Sequence, residues 1–142
     1  MGVEELEGEL EKSWTYLDML AVSVALMKAT RVRAKDWHVA LYEIRESLNP
    51  QERELFDDIH FDTMLIDFGI IYSEQVEAFL GTMRRSDCMS ILGPHYRKML
   101  IEKDTKRQLL EGNPVLLEQH RETLQKIADM LDEKLAITQK SS

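Results

Sequence analysis

Residues 49–72 read NPQERELFDDIHFDTMLIDFGIIY. The stretch opens on a helix start signal: Asn49 can cap, Pro50 suits the first helical position, and Glu52 can return the capping-box bond. Further on it carries Ile59, Phe61, Met64, Leu65, Ile66, Phe68, Ile70, Ile71 and Tyr72. At about 100° per residue these side chains cover nearly the whole circumference of a helix. A helix that is apolar all round is buried on several sides. The reading is a helix over 50–72 whose second half is the buried central helix, or one shared with a partner subunit.

Outward from this stretch, Gly and Pro fall where breaks are needed. Asp36 is a candidate cap before Trp37, and Ser73-Glu74-Gln75 opens a helix after Gly69. Gly93-Pro94 and Gly112-Asn113-Pro114 each give a break followed by a Pro-led start. Between these marks the apolar spacing is helical, with no sustained period of two rich in Val, Ile and Thr. The predicted elements are helices near 3–32, 37–48, 50–72, 74–86, 94–111 and 114–139. The first places Leu6, Leu10, Leu17, Leu20, Val24 and Met27 near a heptad seam. The last places Leu117, Leu124, Ile127 and Leu131 on one, with His120 filling a seam position. The fold class read from this pattern is all-α: an antiparallel bundle of five or six helices, with two long terminal amphipathic helices and a buried central one. One domain spans 1–142, with frayed ends at about 1–2 and 139–142.

Composition agrees with a single globular domain. The chain has 142 residues, 44% of them hydrophobic and 31% charged, which excludes a disordered polar chain or a fibre. One Cys excludes an internal disulfide framework and the Cys-rich zinc motifs. A net charge of −8 makes nucleic acid an unpromising partner. The most apolar window, Tyr16 to Met27, is interrupted by Asp18 and is too short for a bilayer, which needs about 20 residues. With no secretory pattern at Met1–Glu5, the cytoplasm is the default compartment and no membrane association is expected.

Carboxylates crowd the deciding stretch. Glu54, Asp58 and Asp62 are spaced i, i+4, i+8 and would share one strip of a continuous helix, with Asp57 beside them. Asp62 has apolar flanks, and a buried carboxylate must be paired, protonated or metal-bound. A tight hairpin with the preceding helix would bring Glu46 level with Glu54 and Glu43 level with Asp57 or Asp58. Carboxylates from two facing helices suit Mg²⁺ or Mn²⁺, which prefer hard oxygen ligands. The pairs Glu43-x-x-Glu46 and Glu54-x-x-Asp57 resemble the ExxE and ExxD pairs of the all-α, MazG-like nucleoside-triphosphate pyrophosphohydrolases, over about 15 of the 142 residues. That resemblance implies Mg²⁺ held against a triphosphate. The plainer account is that Glu52 and Glu54 favour a helix N-terminus, and that Asp57 and Asp58 pair with Arg53 or with lysines elsewhere.

The histidines His38, His60, His95 and His120 share no i, i+3 or i, i+4 spacing, so no HExxH-type zinc site exists. Arg84, Arg85, Arg97, Lys98, Lys103, Lys106 and Arg107 make the middle of the chain basic, whereas the first 62 residues hold 14 acids against seven cations. Arg84, Arg85, Arg97, Lys98, Lys103 and Arg107 are candidate anion-binding residues; the i, i+4 pairs Lys98–Glu102 and Glu102–Lys106 suit an ordinary solvated helix. Cys88 follows Arg84, Arg85 and Asp87, and reads as a buried inert thiol.

The leading expectation is a non-enzymatic helical interaction or regulatory module with no cofactor, self-associating as a homodimer or docking a protein partner. The alternative is a Mg²⁺- or Mn²⁺-dependent nucleotide phosphohydrolase with Glu43, Glu46, Glu54, Asp57, Asp58 and Asp62 at the metal.

Overall fold

The computed structural model describes residues 14–62, 70–92 and 98–137. Its elements run α1 (Tyr16–Leu26), β1 (Arg31–Arg33), α2 (Trp37–Ser47), a 3₁₀ turn (Glu52–Phe56), α3 (Glu74–Arg85), β2 (Ser90–Leu92), β3 (Lys98–Leu100), α4 (Lys103–Glu111) and α5 (Pro114–Leu135). The chain is mostly helical, and a small three-stranded sheet corrects the all-α expectation.

The helix buried on all sides is α1. Met19, Leu20, Ala21, Val22, Ser23, Val24 and Ala25 are all inside, packed chiefly against α5 and α4. Asp18, the charge that interrupts this apolar window, belongs to its start: the Thr15 N–H donates to the Asp18 carboxylate at 2.9 Å. Ser23 is buried without cost because its hydroxyl donates to the Met19 carbonyl one turn back.

The continuous helix expected over 50–72 is corrected in its described parts, 50–62 and 70–72. The Asn49–Glu52 box forms as read: Asn49 N–H donates to Glu52 Oε1 at 3.0 Å and Glu52 N–H donates to Asn49 Oδ1 at 2.8 Å. It starts only the 3₁₀ turn, and the described residues 57–62 and 70–73 are not helical. A longer helix would stack Glu54, Asp58 and Asp62 on one face, where like charges repel. Instead Leu55, Phe56, Ile59 and Phe61 turn into the core while Asp57, Asp58 and Asp62 face water. The Asp62 N–H donates to the Tyr72 carbonyl at 2.7 Å, bringing the two ends of this connection together. Met64, Leu65, Ile66, Asp67 and Phe68 lie outside the described residues.

Two further helices are shorter than expected. The one read over 3–32 ends at Leu26, and Arg31–Arg33 is a strand. The one read over 94–111 is β3 followed by α4. β3 is the middle strand, antiparallel to both neighbours, and the row Val32–Met99–Ile91 faces the core. The opposite face carries the rows Arg31–Leu100–Ser90 and Arg33–Lys98–Leu92. The free edge of β1 is covered by the chain after α5, where Ala136 bridges Val32 and the Ile137 N–H donates to the Arg31 carbonyl at 3.0 Å.

The remaining helices follow their apolar period. In α2 the buried set is Trp37, Ala40, Leu41 and Ile44, and in α3 it is Val76, Phe79, Leu80 and Met83. Ser73 caps α3 by accepting the Val76 N–H, and Pro114 leads α5. α5 is the one long terminal helix described, with 22 residues. His120 leaves helical geometry within it (φ −130°, ψ 25°) and sets its ring edge-on to Trp14, centroids 5.7 Å apart. The kink rotates the first turns of α5, so Leu116 is buried and Leu117 only half-buried, displacing the expected seam by one residue.

Candidate functional site

Where α2, α3 and the sheet meet, they leave a groove of about 250 Å³. Its floor is Trp37 from α2, Leu80 from α3, and Ile91 and Met99 from the sheet, with Ala34 at one end. Trp37 and Leu80 are there because α2 and α3 turn their apolar stripes toward each other; the Trp37 and Phe79 rings lie 6.4 Å apart. The indole N–H is satisfied inside the protein, donating to the Arg33 carbonyl at 2.9 Å.

One wall is the His38–Glu77 pair. The Ser73 N–H donates to His38 Nδ1 at 3.0 Å, so Nδ1 carries a lone pair. The proton then sits on Nε2 and is donated to Glu77 Oε2 at 3.0 Å. The ring stacks on Tyr72, centroids 5.0 Å apart and planes 17° apart. His38 thus ties α2, the segment before α3 and α3 itself into one rigid wall.

Arg84 lines the groove directly. Arg33 and Lys98 neighbour Ala34 and Met99 in sequence but belong to the opposite face of the sheet; both are exposed, as are Lys35 and Arg84. Arg33 lies 3.9 Å from Asp36, a long and solvent-exposed pair. Arg33 and Lys98 are directly opposed in the β1–β3 register, a like-charge pairing that costs stability.

The sequence-predicted anion residues are divided by this architecture. Arg84 lines the groove, Lys98 lies on the opposite face of the sheet, and Arg85 follows Arg84 at the end of α3, where its guanidinium folds back over Gly81. Lys103 and Arg107 belong to α4, where Arg107 pairs with Asp104 at 3.3 Å. Lys106 is buried and bonded to backbone. Arg97 and His95 lie outside the described residues.

The carboxylate set is spread out. Glu43 pairs with Lys134 at 3.2 Å and Glu46 with Arg45 at 3.4 Å, both on the outer side of α2. Glu54 borders a different cleft, of about 660 Å³, between the 3₁₀ turn and the His120 kink of α5. Asp57, Asp58 and Asp62 are exposed, so the burial expected of Asp62 is corrected. Among the described residues no three His, Cys, Asp or Glu side chains gather as a metal-holding group. Glu52 is instead held by Asn49 and by Lys126 at 3.1 Å; the Asn49 backbone N–H and then the Lys126 ammonium lower its pKa. No described helix is long and apolar enough to cross a membrane.

Sequence reading missed the groove residues His38 and Glu77. The only sequence signal was Trp37-His38 at a helix start; the partner strands come from distant parts of the chain. Compared with protein-family models, curated proteins and solved structures, the chain matches none.

Proposed function

We propose that this chain is a non-enzymatic interaction module whose working face is the groove between α2, α3 and the sheet. The observation that carries this reading is the groove itself, an apolar floor with charged side chains around it. Several charged groups elsewhere have structural work: Arg53 bonds the carbonyls that end α2, Glu52 closes a capping box, and Lys106 and Asp132 hold the turn after α1. An apolar floor with a charged rim is the anatomy of a protein-binding patch.

The test is photo-crosslinking in the source cells, with benzoylphenylalanine placed at Lys35 beside the groove or at Gln125 on α5. A discrete protein adduct from either position supports an interaction module. Absence of an adduct from both, together with Mg²⁺-dependent turnover of a nucleoside triphosphate, would reject it.

A second reading is favoured by the connectivity. Helix–strand–helix–helix–strand–strand with sheet order β1-β3-β2 resembles a winged helix-turn-helix arrangement, here with a long α2–α3 connection. In helix-turn-helix proteins the helix in the position of α3 enters the DNA major groove by its N-terminal end. Here that end carries exposed Glu74 and Glu77, which would face phosphates. The analogy concerns the fold alone, and the acids turn the reading toward protein. Anisotropy of a labelled random-sequence DNA duplex separates the two: binding lost on raising salt would favour DNA.

A further inference from the structure

We infer that the outer face of the three-stranded sheet docks an extended segment of a partner protein with Asp or Glu at alternate positions. This face lies across the sheet from the groove, and the inference does not depend on what the groove holds. Six residues form it: Arg31 and Arg33 from β1, Lys98 and Leu100 from β3, and Ser90 and Leu92 from β2. Val32 and Met99, which alternate with them along the strands, are buried in the core. Arg31, Arg33 and Lys98 are exposed, and no member of the six is acidic. Among the described residues Arg31 and Lys98 have no ion-pair partner, and Arg33 has only the long, solvent-exposed pair with Asp36 at 3.9 Å.

Spacing and charge together name the occupant. Arg31 and Arg33 stand two residues apart on one strand, about 7 Å. Alternate side chains of an extended segment repeat at the same interval, so two of its carboxylates can each meet a guanidinium fork. Arg33 and Lys98 are directly opposed in the β1–β3 register, at a cost that a carboxylate seated between them would relieve. Half-buried Leu92 and Leu100 add apolar contact beside the cations.

A nucleic acid fits this face less well. Three phosphate contacts give a salt slope of only roughly −2.7 on a duplex, against the six to ten contacts of a strong electrostatic binder. None of the six residues is aromatic, so the bases of a single strand have no ring to stack on. The net charge of −8 also opposes the approach of a long polyanion, whereas a short acidic segment feels chiefly the charges within about 8 Å.

The experiment is panning of a random-peptide phage library on the full chain, followed by anisotropy of the recovered peptides, synthesised with a fluorescein label. The expected consensus has two or more acids at alternate positions. Binding should weaken about tenfold or more in the double variant Arg31→Gln, Arg33→Gln, and should weaken also in Lys98→Gln. Rearranging the peptide so that its acids are consecutive, with composition unchanged, should weaken it too. The three cations are exposed and Gln removes a like-charge opposition, so thermal melts of the variants should match or exceed the parent.

Recovery of no consensus, or of one without alternating acids, overturns the inference. So does peptide binding that the Gln variants leave unchanged. A DNA duplex that displaces the peptides would assign the face to nucleic acid, and conversion of a dimer to a monomer by the Gln variants would assign it to a second copy of the chain; either result overturns it. Each of these results leaves the groove reading standing, since the substituted residues lie across the sheet from the groove.

Discussion

Lys106 and Asp132 hold the same backbone turn by its two polarities. The Lys106 ammonium donates to the Met27 carbonyl at 2.7 Å and to the Ala29 carbonyl. The Asp132 carboxylate accepts the Lys28 and Ala29 N–H groups at 2.8 and 3.0 Å. The end of α1 has no glycine cap, and these side chains from α4 and α5 satisfy its backbone instead. They fix the direction in which the chain leaves the buried helix and enters β1.

Lys106→Met should therefore cost about 2–4 kcal/mol in urea unfolding, since it strands two carbonyls and leaves Asp132 without its cation. Burial, aided by Lys103 and opposed by Asp132, holds the Lys106 pKa below the ordinary lysine value. Between its folded value and about 10.4 the unfolded chain binds more protons, so the contribution of this group rises with pH. The stability gap between parent and Lys106→Met should widen as pH is raised through that window. A gap that narrows would contradict the assignment.

Arg53 ends α2 from outside. Its Nε donates to the Arg45 and Leu48 carbonyls, each at 3.0 Å, and Nη2 donates to the Glu46 carbonyl at 2.9 Å. This needs a planar fork, which Lys lacks. Arg53→Lys should destabilise nearly as much as Arg53→Ala, by about 1–2 kcal/mol. Full rescue by Lys in thermal melts would show that charge alone suffices.

Glu52 has a lowered pKa, chiefly through the Asn49 N–H and then through Lys126. A depressed carboxylate adds stability above its unfolded value, near 4.3, and loses it as pH falls through the folded value. Glu52→Gln should flatten the acid limb of the stability curve between about pH 5 and pH 3. Asn49→Ala should remove the same box, for about 1 kcal/mol. An unchanged acid limb in Glu52→Gln would place that pH dependence elsewhere.

Asp87 follows α3 in the left-handed region, φ 60°. The Cys88 N–H returns to the Met83 carbonyl at 2.8 Å and the Asp87 N–H to the Arg84 carbonyl at 3.1 Å, a Schellman closure normally made with Gly. Asp87→Gly should raise stability by about 0.5–1 kcal/mol, read as a higher Tm. A lower Tm would mean that the Asp87 side chain contributes more than its backbone costs.

Local chemistry was legible in the sequence. The helices read at 37–48, 74–86 and 114–139 match α2, α3 and α5 closely, because cap residues and a 3.6-residue apolar period act within a few neighbours. The Asn49–Glu52 box formed for the same reason, although the helix it opened did not continue. The strands were not legible. Each is three residues long, too short to display alternation, and their pairing joins Val32 to Met99 across most of the chain. Apolar density likewise misdirected the choice of central helix: 59–72 is rich in apolar residues, yet its described parts, 59–62 and 70–72, are not helical. Tyr16–Met27, the window interrupted by Asp18, supplied the helix buried on every side.

The sequence by itself determined where helices start and which faces of α2 and α3 are apolar, since both are encoded in contiguous residues. Only the tertiary structure decided that those faces meet a sheet, that Arg33 comes to stand opposite Lys98 on its outer face, and that a groove opens between α2, α3 and its inner face. Such juxtapositions depend on closing long loops, and no local pattern records which distant segments will repay that entropy.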